Sequence, residues 1–318
     1  MKAVVVGGGS WGSVFAVLLA ERGHEVTLAC RDPEQARAIE ETGRNPHYMP
    51  DTDLSAVTAS SLEDAPVAAA DLVCLALPSG AFREVAQSLP GEAPLLSLTK
   101  GLDPESGARL STVVAGRAVA VLSGPNHAEE IAQGLPAAAV ISSEDAALAV
   151  ELQNAIISTR FRVYLNADLI GVELCAAAKN VMALAAGGVD GFGFGDNAKA
   201  ALITRGLAEM ARLGEACGAR VETFSGLAGM GDLIVTCFSR YSRNRRAGEL
   251  IAQGRSPEEA RTEIGMVVEG LTTAPVLRDL SRRLGVELPI TEAICEVLSG
   301  TSALDLVSGL MSRTPTDE

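Results

Sequence analysis

Histidine is scarce in this chain of 318 residues: His24, His47 and His127 are the only three, too far apart to form a local metal motif such as H-E-x-x-H. No metal site is expected. Paired cysteines are missing as well, because Cys30, Cys74, Cys175, Cys217, Cys237 and Cys295 stand singly, each in apolar or helical surroundings and without a C-x-x-C. That pattern favours buried free thiols in a reducing compartment. Positive charge is in deficit: 26 basic against 40 acidic residues leave a net charge of −14, which disfavours a sequence-independent grip on nucleic acid or an anionic membrane. The N-terminus lacks a separate charged region, apolar core and cleavage site, and no uncharged apolar run approaches the length of a membrane span. The expected location is therefore cytoplasmic, with no membrane span and no nucleic-acid partner.

The chain is rich in apolar residues (47%) and in glycine (32 residues), and its length calls for two domains rather than one small core. Its most informative segment is the first. An apolar strand, Met1 to Val6, runs into Gly7-Gly8-Gly9-Ser10-Trp11-Gly12 and then into an alanine- and leucine-rich helix that ends near Gly23. Gly7, Gly9 and Gly12 form a G-x-G-x-x-G, whose bare glycines let the backbone turn tightly and approach a pyrophosphate held at the helix N-terminus. A loop built only to pack a helix on a strand would look similar, but a second strand, Glu25 to Cys30, follows at βαβ spacing. The placement points to a bound dinucleotide.

Four further apolar runs, Asp71 to Leu77, Pro94 to Leu98, Ala118 to Leu122 and Pro136 to Ser142, read as strands buried on both faces, so the first half is expected to be an open α/β sheet. Three strand ends carry turn residues (Pro78-Ser79-Gly80, Thr99-Lys100-Gly101, Ser123-Gly124-Pro125-Asn126) and should line one crevice at the carboxyl edge. From Asn166 helical periodicity takes over, with Asn166 as the expected N-cap, giving domains of 1–165 and 166–318. Helices are expected at about 166–186, 197–217, 242–253, 256–264, 269–284 and 289–299, and a frayed tail over Ser312 to Glu318.

Several polar residues are candidates for chemistry. Lys179 falls on a helical stripe with Val172, Ala176 and Ala183, otherwise apolar. Either it snorkels at the stripe's edge, or it is a partly desolvated amine fit to give and take a proton. Lys100 lies at the sheet's carboxyl edge, as a solvated loop residue or a ligand contact. Arg240, Arg243, Arg245 and Arg246, with Ser242 and Asn244 between them, form the one concentrated cationic patch. The patch suits a phosphate dianion at a helix start, with a solvated helix start as the alternative. Arg31 and Asp32 follow the second strand, where an acid selects NAD and an arginine accommodates the 2′-phosphate of NADP. Arg31 leans the choice toward NADP, and dual use stays open.

Seven blocks in order, Gly7 to Gly12, Ser97 to Gly101, Ser123 to Glu129, Ala178-Lys179-Asn180, Gly231-Asp232-Leu233, Ser242 to Arg245 and Val268-Glu269-Gly270, resemble the bacterial NAD(P)-dependent glycerol-3-phosphate dehydrogenase family over nearly the whole chain. The resemblance implies a Rossmann-type dinucleotide-binding domain followed by an all-α substrate domain similar to that of 6-phosphogluconate dehydrogenases. It also implies reversible reduction of dihydroxyacetone phosphate by NADPH or NADH to sn-glycerol 3-phosphate, a precursor of phospholipids. By the same resemblance Lys179 is the proton acceptor and donor, and Lys100 contacts both substrate and cofactor. Gly124, Asn126, Asp232, Ser242, Arg243 and Asn244 join these two lysines at the substrate, although position 126 is commonly a small hydroxyl residue in the family. Ser10, Trp11, Arg31, Tyr48, Lys100, Ala128, Arg243, Val267 and Glu269 touch the cofactor, alongside the three motif glycines.

Two alternatives remain at this level. A β-hydroxyacid or ketoacid reductase would pair the same two kinds of domain and use a helical lysine, but its carboxylate substrate has less need of an arginine cluster. A nucleotide-sensing protein without turnover would have no use for Lys100 and Lys179. A homodimer formed through the helical half is the expected assembly.

Overall fold

Alternating runs of valine, leucine and alanine with short polar turns form a single eight-stranded sheet in the computed structural model, which describes residues 1–302 and Leu304. The tail expected over Ser312 to Glu318 lies outside the described residues. The first unit runs β1 (Lys2–Val6), α1 (Ser10–Glu21), β2 (Glu25–Cys30), α2 (Pro33–Thr42), β3 (Thr58–Ser61), β4 (Leu72–Leu75), α3 (Ser79–Ser88), β5 (Leu95–Ser97), β6 (Val119–Ser123), α4 (Ala128–Ala132), β7 (Ala137–Ser143), α5 (Ala146–Ile156) and β8 (Phe161–Leu165). The strand order is β3-β2-β1-β4-β5-β6-β7-β8, and every pairing is parallel except β6 with β7. This is the Rossmann-type arrangement, with the chain reversing direction across the sheet between β1 and β4.

All residues of β4 and β5 are buried, as strands covered by helices on both faces must be. One face packs on α1 through Val14, Phe15, Leu18 and Leu19; the other packs on α3 through Phe82 and Ala86. Little in the sequence marks β3 and β8, the two edge strands. β3 is Thr-Ala-Ser-Ser, with little apolar signal, and β8 buries only Phe161 and Val163 while Arg162, Tyr164 and Leu165 face outward.

The remaining helices are α6 (Leu169–Gly191), α7 (Gly195–Ala216), α8 (Val221–Phe224), α9 (Asp232–Phe238), α10 (Arg243–Ala252), α11 (Pro257–Ile264), α12 (Glu269–Leu284) and α13 (Pro289–Leu298). A π-helical turn, Leu227–Gly231, leads directly into α9, a helix absent from the sequence reading. The cap expected at Asn166 moves to Asp168, whose Oδ1 accepts the Gly171 N–H at 2.9 Å; Asn166 Oδ1 accepts from the Asp168 N–H instead. The first compact unit extends to Glu173 and the second starts at Leu174, eight residues after the start at 166 expected from the sequence. Glu173 ties the start of α6 to the first unit, since its buried carboxylate accepts from Ser111 N–H, Ser111 Oγ and Arg109 Nη1 at 2.8, 2.6 and 2.8 Å.

Two stretches, Leu169–Gly191 and Val221–Phe238, are long and apolar enough in composition to cross a membrane. Neither is uncharged, as Glu173, Lys179 and Asp190 interrupt the first, and 89% of its most apolar window is buried inside the protein. Burial of that kind is what a core helix has, and it accounts for the apolar composition of α6 without lipid.

Candidate active site

In the first unit the glycine turn is shaped by steric necessity. Gly7 has φ +117°, and a Cβ there would lie 2.4 Å from Ala76 O; one at Gly12 would lie 1.9 Å from Gly7 O. Neither position tolerates a side chain, because the β1 end must press on the β4 end and α1 must press on the turn. Gly9 differs, for a Cβ there would meet nothing within 4 Å. Its bareness leaves room for a ligand rather than for protein. Gly9 is also the N-cap of α1, with no side-chain cap, and the first turn of α1 has no acid, so the leading N–H groups are left for an anion. This cradle fits the pyrophosphate of a dinucleotide.

Three residues behind the turn were not singled out by the sequence. Gln35 Nε2 and Asn45 Nδ2 both donate to Gly8 O, at 2.7 and 2.8 Å, and Asn45 Nδ2 also reaches Ser13 Oγ at 2.9 Å. All three side chains are buried and hold the turn from below. They lie in the α1 to β3 stretch, where nothing in their spacing marks them as partners.

Ser10 and Tyr48 come together, Ser10 Oγ donating to Tyr48 O at 3.5 Å, and the Tyr48 side chain is exposed. Trp11 packs edge-on against Phe15 at 5.5 Å, and its indole Nε1 is buried with no hydrogen-bond partner among the described residues. Arg31 is exposed at the end of β2, whereas Asp32 Oδ1 caps α2 by accepting the Glu34 N–H at 2.9 Å. The acid at this corner therefore serves the fold.

The β4, β5 and β6 ends meet at one edge, as expected for parallel neighbours. Thr99 Oγ1 accepts from the Leu77 N–H at 3.2 Å and donates to Leu77 O at 2.9 Å, and Lys100 Nζ donates to Gly124 O at 2.8 Å. Gly124 has φ +134° and lies close against Ala138 and Ala139 of β7. Asn126 Nδ2 donates to Ala138 O at 3.0 Å, while its Oδ1 is buried without a partner among the described residues. Ala128 starts α4 and is buried.

In the second unit Lys179 is 5% exposed, which settles the question of snorkelling. Its Nζ donates to Asp232 Oδ1 at 2.5 Å and to Thr236 Oγ1 at 2.9 Å. Asp232 is itself 1% exposed. A buried ammonium needs such a partner, since desolvation without one costs several kcal/mol. Thr236 is absent from the sequence reading, although it stands one helical turn after Asp232 on α9. With that helix unseen, the i, i+4 relation had nothing to mark it.

Close helix packing builds the neighbouring polar chain. A Cβ at Gly187 would lie 1.8 Å from Arg245 O, and one at Gly248 1.9 Å from Leu184 O, so α6 and α10 cross with backbone touching backbone. Gly270, at the start of α12, approaches Asn180 O in the same way. These approaches let Asn244 Nδ2 donate to Asn180 Oδ1 at 3.0 Å and Asn244 Oδ1 accept the Gly270 N–H at 2.8 Å. Ser242, buried, caps α10 by accepting the Arg245 N–H.

The four-arginine patch does not act as one anion site. Arg240 stacks on Tyr241 at 4.9 Å, Arg245 is held by Asp190 and Glu249, and Arg246 pairs with Glu249 and Glu263. Arg243 alone of the four has neither an acidic partner nor a stacked ring among the described residues; it is exposed and donates to Val267 O at 2.9 Å. Val267 is exposed, and Glu269 opens α12. The cysteines are free, and burial pushes the Cys237 thiol up to about 12 and the Cys30 thiol up to about 11, so neither is a nucleophile near neutral pH. Among the described residues no group of three or more His, Cys, Asp or Glu side chains is arranged to hold a metal ion.

Comparison with known proteins covers both halves. The family profile described as "NAD-dependent glycerol-3-phosphate dehydrogenase N-terminus" matches residues 2–149, and its C-terminal counterpart matches residues 168–307. The glycerol-3-phosphate dehydrogenase [NAD(P)+] of Moorella thermoacetica is 48% identical over 323 residues, covering 99% of this chain and 96% of the relative. That of Pelotomaculum thermopropionicum is 46% identical over 330 residues, covering 100% and 95%. The crystal structure of the Coxiella burnetii glycerol-3-phosphate dehydrogenase superposes with a TM-score of 0.94 at 35% identity, over 98% of this chain and 99% of that one.

Proposed function

Because this chain belongs to the NAD-dependent glycerol-3-phosphate dehydrogenase family, we propose that it reduces dihydroxyacetone phosphate reversibly to sn-glycerol 3-phosphate, with Lys179 as the proton-transferring group. The observation that carries this reading is the Lys179 ammonium, buried and held between Asp232 and Thr236. Bound NADPH or NADH supplies the hydride. As the carbonyl carbon gains it, Nζ of Lys179 gives a proton to the carbonyl oxygen, and in the reverse direction it takes that proton back. Asp232 holds the ammonium in place and balances its charge; Thr236 fixes its direction.

Arg243 and Asn244 seat the substrate phosphate at the start of α10, next to the Ser242 cap. Binding energy spent on that non-reacting group orients the reacting one. Gly124, Asn126 and Lys100 are assigned to the substrate from the first unit, Lys100 also to the cofactor. Gly7, Gly9 and Gly12 cradle the pyrophosphate, flanked by Ser10, Trp11, Tyr48 and Ala128, and Arg243, Val267 and Glu269 complete the cofactor contacts. Arg31, with Asp32 committed to its helix, supports a preference for NADPH. The product supplies phospholipid synthesis. We further propose a cytoplasmic homodimer that acts on this small substrate without a membrane span or nucleic-acid partner; the net charge of −14 and the free cysteines support that setting.

The test is an assay of the purified protein with dihydroxyacetone phosphate and each reduced cofactor, with the product identified as sn-glycerol 3-phosphate. Absence of substrate-dependent oxidation with both cofactors would overturn the reading.

A further inference from the structure

One charged cluster of the second unit, partly buried, has no part in the assignments above. Asp190, in the last turn of α6, accepts from Lys199 Nζ with both carboxylate oxygens, at 2.9 and 2.8 Å, and its Oδ2 also accepts from Arg245 Nε at 2.6 Å. Lys199 belongs to α7, is 5% exposed, and holds its ammonium 4.6 Å from the centre of the Phe238 ring at the end of α9. Three charges and one ring thus tie α6, α7, α9 and α10 at a single point.

Such a cluster is an inefficient way to gain stability, since well-packed apolar side chains of the same volume often hold helices as firmly without the cost of drying three charges. What ion pairs add is direction. Arg245 is the residue after Asn244 and two after Arg243, so its Nε contact fixes the first turn of α10. Phe238 is the last residue of α9, so the Lys199 contact ties α7 to that end of the helix, away from Asp232 at its start. Asp190 is shared by two cations; neutralised, it would leave Lys199 and Arg245 repelling each other beneath the start of α10.

We propose that Asp190 and Lys199 are positioning residues whose ion-pair cluster with Arg245 aims Arg243 and Asn244 at the phosphate of the substrate. This rests on the reading of Arg243 and Asn244 as the phosphate seat.

The experiment compares kcat/KM for dihydroxyacetone phosphate with kcat/KM for dihydroxyacetone, which lacks the phosphate, in the full-length enzyme with NADPH. The ratio of the two isolates what the phosphate contributes. Asp190→Asn is expected to lower this ratio at least ~10-fold while leaving the value for dihydroxyacetone within about twofold, because only phosphate-derived transition-state stabilisation is lost. Arg245→Gln, at a partly exposed position, is expected to do the same. A role confined to stability would lower both values together and leave the ratio intact; that result in either variant that folds overturns the proposal. Arg243→Ala separates the two readings. If it lowers the ratio and the cluster variants do not, the positioning role fails alone; if it leaves the ratio unchanged, the phosphate seat fails and the proposal with it.

Discussion

The proposed chemistry rests on two single side chains, the buried Lys179 ammonium and the exposed Arg31 guanidinium. Arg31 is exposed beside the cofactor cradle, and its acidic neighbour Asp32 is occupied in capping α2. Arg31→Ala is expected to raise KM for NADPH about ten- to a hundredfold, the loss of one or two charge-assisted hydrogen bonds, and to leave KM for NADH nearly unchanged. Steady-state kinetics with both cofactors check this; equal effects would place the guanidinium elsewhere. At this scale legibility depended on context. Lys179 stood out because a lysine on an apolar stripe is costly, whereas Thr236, Gln35 and Asn45 left no trace, since a hydroxyl or amide marks nothing until its partner across space is known. The arginine patch looked stronger than it is. Asp190, Glu249 and Glu263, the acids that occupy Arg245 and Arg246, lie as far as 55 residues away in sequence.

Elements meet where glycines allow them to. A Cβ on Gly187 would enter the Arg245 carbonyl, so Gly187→Ala must push α10 off α6 and stretch the Asn180–Asn244 hydrogen bond. The expected cost is about 2–3 kcal/mol in unfolding free energy, accompanied by a raised KM for dihydroxyacetone phosphate. Denaturant unfolding and kinetics on the same sample check both parts. A second element-level feature is Glu209 of α7, buried, which accepts the Ile290 and Thr291 N–H groups and so caps α13. Burial pushes its carboxyl up to about 7 against the hydrogen bonds from Ile290 and Thr291. The folded protein therefore holds this proton more tightly than the unfolded chain does. The associated stability is fully present below about pH 4.5 and is lost as the pH rises through about 7, on the order of 3 kcal/mol in all. Glu209→Gln mimics the protonated form, so its melting temperature relative to the parent should climb between pH 5 and pH 8. A difference that stays flat across that range would contradict the assignment.

Over the whole molecule, the order of βαβ units was readable because buried parallel strands write continuous apolar runs, and the long helices were readable because amphipathic periodicity survives over several turns. What escaped was short or one-sided. β3 has four residues with little apolar signal; β8 buries one face of an edge strand; α9 has seven residues and starts from a π-turn rather than from a capping residue. The last omission mattered most, since α9 supplies Asp232 and Thr236, to which Lys179 donates. Lys179 is the proposed proton-transferring group, and cofactor binding is proposed to rest on the glycine turn without it. The most direct measurement is kcat for dihydroxyacetone phosphate reduction in Lys179→Met, made alongside NADPH affinity by fluorescence titration. The prediction is a fall in kcat of about a hundred- to ten-thousandfold, as for loss of a general acid, with NADPH affinity unchanged. Turnover within about tenfold of the parent at unchanged affinity would remove Lys179 from the chemistry and contradict the account.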